Sequence, residues 1–172
     1  LNRHDGFVAL CDTVEKDLHS LKPDALSVQT PHPVYNHFGE PLPAATAREK
    51  LGIAPEKKVL LFFGFIRRYK GLDLLIEAMK DVPDDCLLLV AGEVYGDFAE
   101  YQKIIDAAGV AGKIKLFVRY LDDAEVKLFF SAADVLVLPY KSATQSGVAQ
   151  IAYHFSLPMI VTDAGGLAEM VD

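Results

Sequence analysis

Three cations stand together in FFGFIRRYKG (residues 62–71), directly after a run that reads as buried strand. Arg67, Arg68 and Lys70 follow Gly64, whose missing side chain lets backbone come close to a ligand. Ahead of a helix, where the dipole is already positive, such charges repel one another unless an anion lies between them. Lysine offers a point charge and arginine a bidentate fork, so phosphate or pyrophosphate is the anion these residues suit. The competing reading turns Arg67 and Arg68 to solvent.

YKSATQSGVAQIAYHF (140–155) carries a second anion-binding feature. Ser146 occupies an N-cap position, and Gly147 leaves the first free N–H groups of an apolar helix open to an approaching anion. In TDAGGLAEMV (162–171), Gly165 and Gly166 open another helix in the same manner. Glu169 in its first turn is expected to be a dipole partner rather than a catalyst. In VRYL (118–121), Arg119 or Tyr120 either stands beside a base or covers the sheet edge. His154, between Tyr153 and Phe155, is expected to pack rather than react.

Absent patterns narrow the chemistry. The sequence contains no G-x-G pair and no G-x-x-x-x-G-K-[ST], which argues against hydride transfer through a dinucleotide fingerprint and against P-loop hydrolysis. No Asp-x-Asp is present to carry a divalent metal, so a leaving phosphate would be neutralised by protein cations. With 17 Lys+Arg against 24 Asp+Glu, a net charge of −7 disfavours a broad nucleic-acid or anionic-membrane surface. The cations at 67–70 are therefore a local feature. Cys11 and Cys86 form no CxxC, and reduced buried thiols in a cytoplasmic protein are expected.

The elements that must position these residues alternate regularly. Apolar runs predict strands at 59–63, 86–91, 114–118, 135–138 and 158–162, with helices near 71–82, 98–108, 124–132 and 147–155. Leu72, Leu75, Ile76 and Met79 show the helical period in the first of these helices. This rhythm predicts an α/β fold, a Rossmann-like parallel sheet with helices on both faces, whose ligands bind at the carboxyl ends of the strands. Upstream lie a strand-like segment at 6–11, a helix near 13–21 and a short strand around 25–29. Prolines 31, 33, 41 and 43 then suggest a domain junction. The chain starts without Met and stops just after a helix has begun, so it reads as a piece of a longer protein.

LLFFGFIRRYKGLDLLIEAM, LLLVAGE, FFSAADVLVLPY and LPMIVTDAGGLAEMV resemble the donor-binding half of family 4 (group 1) retaining glycosyltransferases of the GT-B fold. The resemblance implies two facing Rossmann-like domains, of which residues 31–172 are the nucleotide-sugar-binding one, truncated at its C-terminus. Residues 1–30 would be a remnant of the N-terminal acceptor domain and linker. It further implies a nucleotide-diphosphate sugar as donor, no metal or other cofactor, and a sugar or lipid-linked acceptor bound by the rest of the N-terminal domain. Nucleic acid is not an implied partner. Membrane association of the full-length protein, peripheral at the inner face, stays open.

Carried onto this sequence, Lys70 with Arg67 or Arg68 would contact the diphosphate, Ser146 and Gly147 would cradle it, and the 119–121 loop would lie near the base. Two departures stand out. Phe65 replaces the arginine usual after the first-loop glycine, with Arg67 as its substitute, and Ala143 and Ile151 occupy the positions of the usual glutamate pair. Thr144, Gln145 and Gln150 are the polar groups left there. The departures keep two alternatives in view: a non-catalytic nucleotide-sugar-binding module and a nucleotide-sugar epimerase on the same fold.

Overall fold

The computed structural model describes residues 3–171. Near the N-terminus, β1 (Phe7–Ala9), α1 (Asp12–Leu21) and β2 (Ser27–Gln29) form a parallel two-stranded unit with Phe7 opposite Ser27. There follow α2 (Ala44–Leu51), β3 (Lys58–Phe63), α3 (Leu72–Ala78), β4 (Cys86–Ala91) and α4 (Ala99–Ala108). The chain continues through β5 (Ile114–Phe117), α5 (Asp123–Ala132), β6 (Val135–Leu138), α6 (Gly147–His154) and β7 (Met159–Val161). A 3-10 helix at Gly165–Met170 closes it.

The five later strands make one wholly parallel sheet in the order β5-β4-β3-β6-β7. Strand period explains its two-sided burial. Val59, Leu61 and Phe63 of β3 enter a core with α2, α5 and α6, while Phe62 packs on the opposite face with α3 and α4. β4 divides in the same way, Leu89 and Ala91 to one core and Leu88 and Val90 to the other. The expected Rossmann-like sheet with helices on both faces is therefore the fold observed.

Two expected elements differ. α3 ends at Ala78 rather than near 82, where the Met79 N–H is shared by the Leu75 and Ile76 carbonyls and Pro83 follows shortly after. The proline-rich junction leads into α2, a helix not expected from sequence, which starts directly after Pro43 and ends at left-handed Gly52.

Candidate functional site

The strand order reverses direction between β3 and β6, and the loops leaving these two strands diverge there into the crevice typical of ligand binding in open α/β sheets. These loops carry Gly64–Gly71 and Pro139–Gly147. They are tied together: the Lys141 N–H donates to the Tyr69 carbonyl at 2.7 Å, and Lys141 Nζ reaches Asp73 at 2.5 Å. Gly71, at φ 69°, allows the closest approach, since a Cβ there would stand 1.9 Å from the Pro139 carbonyl oxygen.

Lys70 is the unusual residue of this crevice. Its side chain is buried, at 7% exposure, with Nζ 5.5 Å from the centre of the Tyr140 ring. A Cβ built on Gly64 would lie 3.2 Å from that Nζ and 3.4 Å from Val148 Cγ2, so the ammonium and the first turn of α6 face the same backbone. Among the described residues no carboxylate pairs with Lys70. Burial, and then the Arg67 charge, lower its pKa to about 8. Burial likewise pushes the Tyr140 phenol up to about 12, so Tyr140 stays neutral beside it.

Ser146 occupies the N-cap of α6 but makes no side-chain capping bond; its hydroxyl lies 3.3 Å from the Tyr140 hydroxyl instead. The first N–H groups of α6 thus remain without a side-chain cap, the arrangement that favours an anion. Tyr35, from the segment expected to be a plain junction, covers this helix start, and a Cβ on Gly147 would come 3.1 Å from its Cε2.

Arg67 is exposed and stacks on Tyr95, with Cζ 4.5 Å from the ring centre, and it too has no carboxylate partner among the described residues. The other two predicted arginines are engaged elsewhere. Arg68 forks onto Glu100 of α4 at 2.9 and 2.8 Å, and Arg119 onto Glu125 at 2.9 and 2.6 Å. In each case a nearby carboxylate neutralises the charge that sequence alone left unassigned. The Arg119 guanidinium holds the Glu125 carboxyl down to about 2.

Three cavities adjoin these loops, of which one of about 250 Å³ is lined by the ion-paired Arg68, Glu100, Asp73 and Lys141. Another of about 560 Å³ lies between the β1–α1–β2 unit and α6, and is lined by His32, Gln145, buried Gln150 and Glu169 among others. The Gln145 carboxamide oxygen is buried without a hydrogen-bond partner among the described residues. Exposed Thr144 contributes its backbone, accepting the Cys11 thiol at 3.3 Å. The third cavity, of about 180 Å³, is lined by Gly64, Phe65, Glu93 and exposed Tyr120. Phe65 stood out in the sequence only as a departure from the family pattern, and Glu93 was not singled out, because an exposed acid carries no local signal. Among the described residues no three His, Cys, Asp or Glu side chains gather as metal ligands, and no helix is long and apolar enough to cross a membrane.

The 165–170 segment differs from its expected role. Gly165 and Gly166 make room for the Ala143 and Thr144 carbonyls, from which added Cβ atoms would stand 2.0 and 2.2 Å. Glu169 serves another helix: its carboxylate accepts the Asp12 N–H at 2.8 Å and the Thr13 N–H at 3.1 Å, capping α1. These bonds, with that from the Thr13 hydroxyl as the largest influence, hold its carboxyl below the usual range. His154 packs edge-on against Phe155 and bonds the Gly39 carbonyl at 2.9 Å, a structural position.

A doubly wound parallel sheet with a helix start lacking a side-chain cap and a buried cation at its switch point is a Rossmann-like α/β arrangement. The chain belongs to the family described as glycosyl transferases group 1, whose model matches residues 44–172. D-inositol 3-phosphate glycosyltransferase of Xylanimonas cellulosilytica is 28% identical over 156 residues, covering 86% of this chain and 37% of that protein. GDP-mannose:glycolipid 4-beta-D-mannosyltransferase of Xanthomonas campestris is 32% identical over 104 residues, 59% of this chain and 29% of that one. Among solved structures, Anabaena Alr3699/HepE in complex with UDP-glucose superposes with a TM-score of 0.84 at 19% identity, covering 98% of this chain and 47% of its own. The chain thus spans less than half the length of these proteins.

Proposed function

We propose that this chain is the donor-binding part of a glycosyltransferase that moves a sugar, with retention, from a nucleotide-diphosphate sugar to an acceptor. The observation that carries the reading is Lys70, buried without a carboxylate partner among the described residues and close to the start of α6, which lacks a side-chain cap, at the switch point. In the proposed reaction the bond from the sugar C1 to the diphosphate breaks, with the developing charge held by Lys70, Arg67 and the α6 N–H groups. An acceptor hydroxyl bonds to C1 on the same face, and its proton passes to the departing phosphate oxygen. Removing one such electrostatic contact costs about 3 to 4 kcal/mol of transition-state stabilisation. The sugar hydroxyls would meet Gln145 and Gln150, neutral hydrogen-bonding groups lining the cavity of about 560 Å³.

The acceptor, a sugar or lipid-linked molecule, would be bound by the additional length that the relatives possess, in a cytoplasmic protein seated at the inner membrane face when its acceptor is a lipid. A second reading, a non-catalytic nucleotide-sugar-binding module, is favoured by Ala143 and Ile151 at the usual glutamate positions. Incubating the full-length protein with a labelled nucleotide sugar and acceptor separates the two. Transfer that persists in EDTA supports the proposed, metal-independent enzyme; donor binding without turnover supports the module. Residues 1–172 alone should bind a nucleoside diphosphate without turnover, because the second reactant is not held in attack geometry.

A further inference from the structure

The smallest of the three cavities lies where the ends of β3 and β4 meet the loop after β5, and it borders the cation site, since Gly64 lines the cavity and also faces Lys70 Nζ. At about 180 Å³ it is smaller than a complete ligand site, typically about 300–1,000 Å³, and suits one ring system. Phe38, Phe65 and Tyr120 supply aromatic walls, a stacking surface for a base. The polar lining is unbalanced. Its only charged side chains are those of Glu93 and Asp123, which make no hydrogen bond or ion pair among the described residues. Carboxylates accept and cannot donate. Arg119, beside lining residue Tyr120, is already forked onto Glu125, and the Gly64 and Gly92 N–H groups are engaged by the Ala91 and Phe117 carbonyls at 2.9 and 3.1 Å.

We propose that this cavity selects guanine as the donor base, with Glu93 and Asp123 as the specificity-determining residues. The proposal rests on the diphosphate reading of the Lys70 site. Guanine presents two adjacent donors, N1–H and the N2 amine, which one carboxylate accepts as a bidentate pair. Adenine and cytosine each offer a single exocyclic amine. Uracil is the worst match, because its only edge donor is flanked by two carbonyl oxygens that a carboxylate repels.

Titration calorimetry of the 172-residue chain with GDP, ADP, CDP, UDP and inorganic pyrophosphate tests this. GDP should bind at least tenfold more tightly than UDP, with ADP and CDP between them. Glu93→Gln and Asp123→Asn, which supply amide donors, should shrink that ratio and improve UDP binding while leaving pyrophosphate affinity unchanged; a merely structural role would lower every ligand alike. Equal binding of all four nucleotides, or UDP as the tightest, overturns the base assignment while the diphosphate site stands. If neither the nucleotides nor pyrophosphate bind, the diphosphate reading falls and the base assignment with it.

Discussion

Replacing Lys70 with Met keeps much of the side-chain volume and removes the charge, and its consequences for folding and for binding run in opposite directions. The amine is buried and its pKa falls from 10.5 to about 8. At about 1.36 kcal/mol per pH unit, that depression corresponds to roughly 3 kcal/mol of destabilisation when the amine is charged in the ligand-free protein. Below pH 8 the cost is fully present; between pH 8 and 10.5 the unfolded chain holds the proton and the folded one does not, so stability rises with pH. Lys70→Met should therefore unfold at a higher denaturant midpoint at pH 7, by up to about 3 kcal/mol, and lose the rise above pH 8. Binding should suffer, since a charge-assisted hydrogen bond contributes about 1.5–3 kcal/mol, or roughly 10- to 150-fold in affinity for pyrophosphate. Urea unfolding as a function of pH, with calorimetric titration alongside, measures both. A variant that is destabilised at pH 7 and binds pyrophosphate normally would refute the reasoning.

The two neighbouring arginines should separate. Arg67→Ala should weaken pyrophosphate binding about tenfold, whereas Arg68→Ala should leave it within about twofold and alter stability by under about 1 kcal/mol, as expected of an exposed pair with Glu100; calorimetry and urea unfolding check both. Gly71→Ala should cost about 2–4 kcal/mol, combining strain at φ 69° with the overlap on Pro139. Gly96→Ala, at φ 115° with open space around the new methyl, should cost only the strain, about 1 kcal/mol in the same unfolding assay.

Continuous apolar runs such as KVLLFF and CLLLVA are buried on both faces, so the doubly wound sheet was legible from sequence, including the loops that carry Lys70 and Ser146. α2 was hidden because Pro41 and Pro43 read as a junction, although a proline immediately before a helical run also marks a helix start. The fates of Arg68 and Arg119 depend on acids brought near by folding, and no local pattern distinguishes an arginine that meets a carboxylate from one that meets an anion. Glu169 shows the same limit, since it caps a helix more than 150 positions upstream. Phe65, Glu93 and Asp123 come together only when three loops converge at the sheet edge.

Lys70 and the start of α6 are proposed to hold a diphosphate at the switch point. A crystal structure of the 172-residue chain with GDP tests this most directly. Phosphate oxygens should lie at about 3 Å from Lys70 Nζ and from the backbone N–H groups of Gly147 and Val148. A diphosphate bound elsewhere, with Lys70 still packed on Tyr140 and the α6 N–H groups facing solvent, would contradict it.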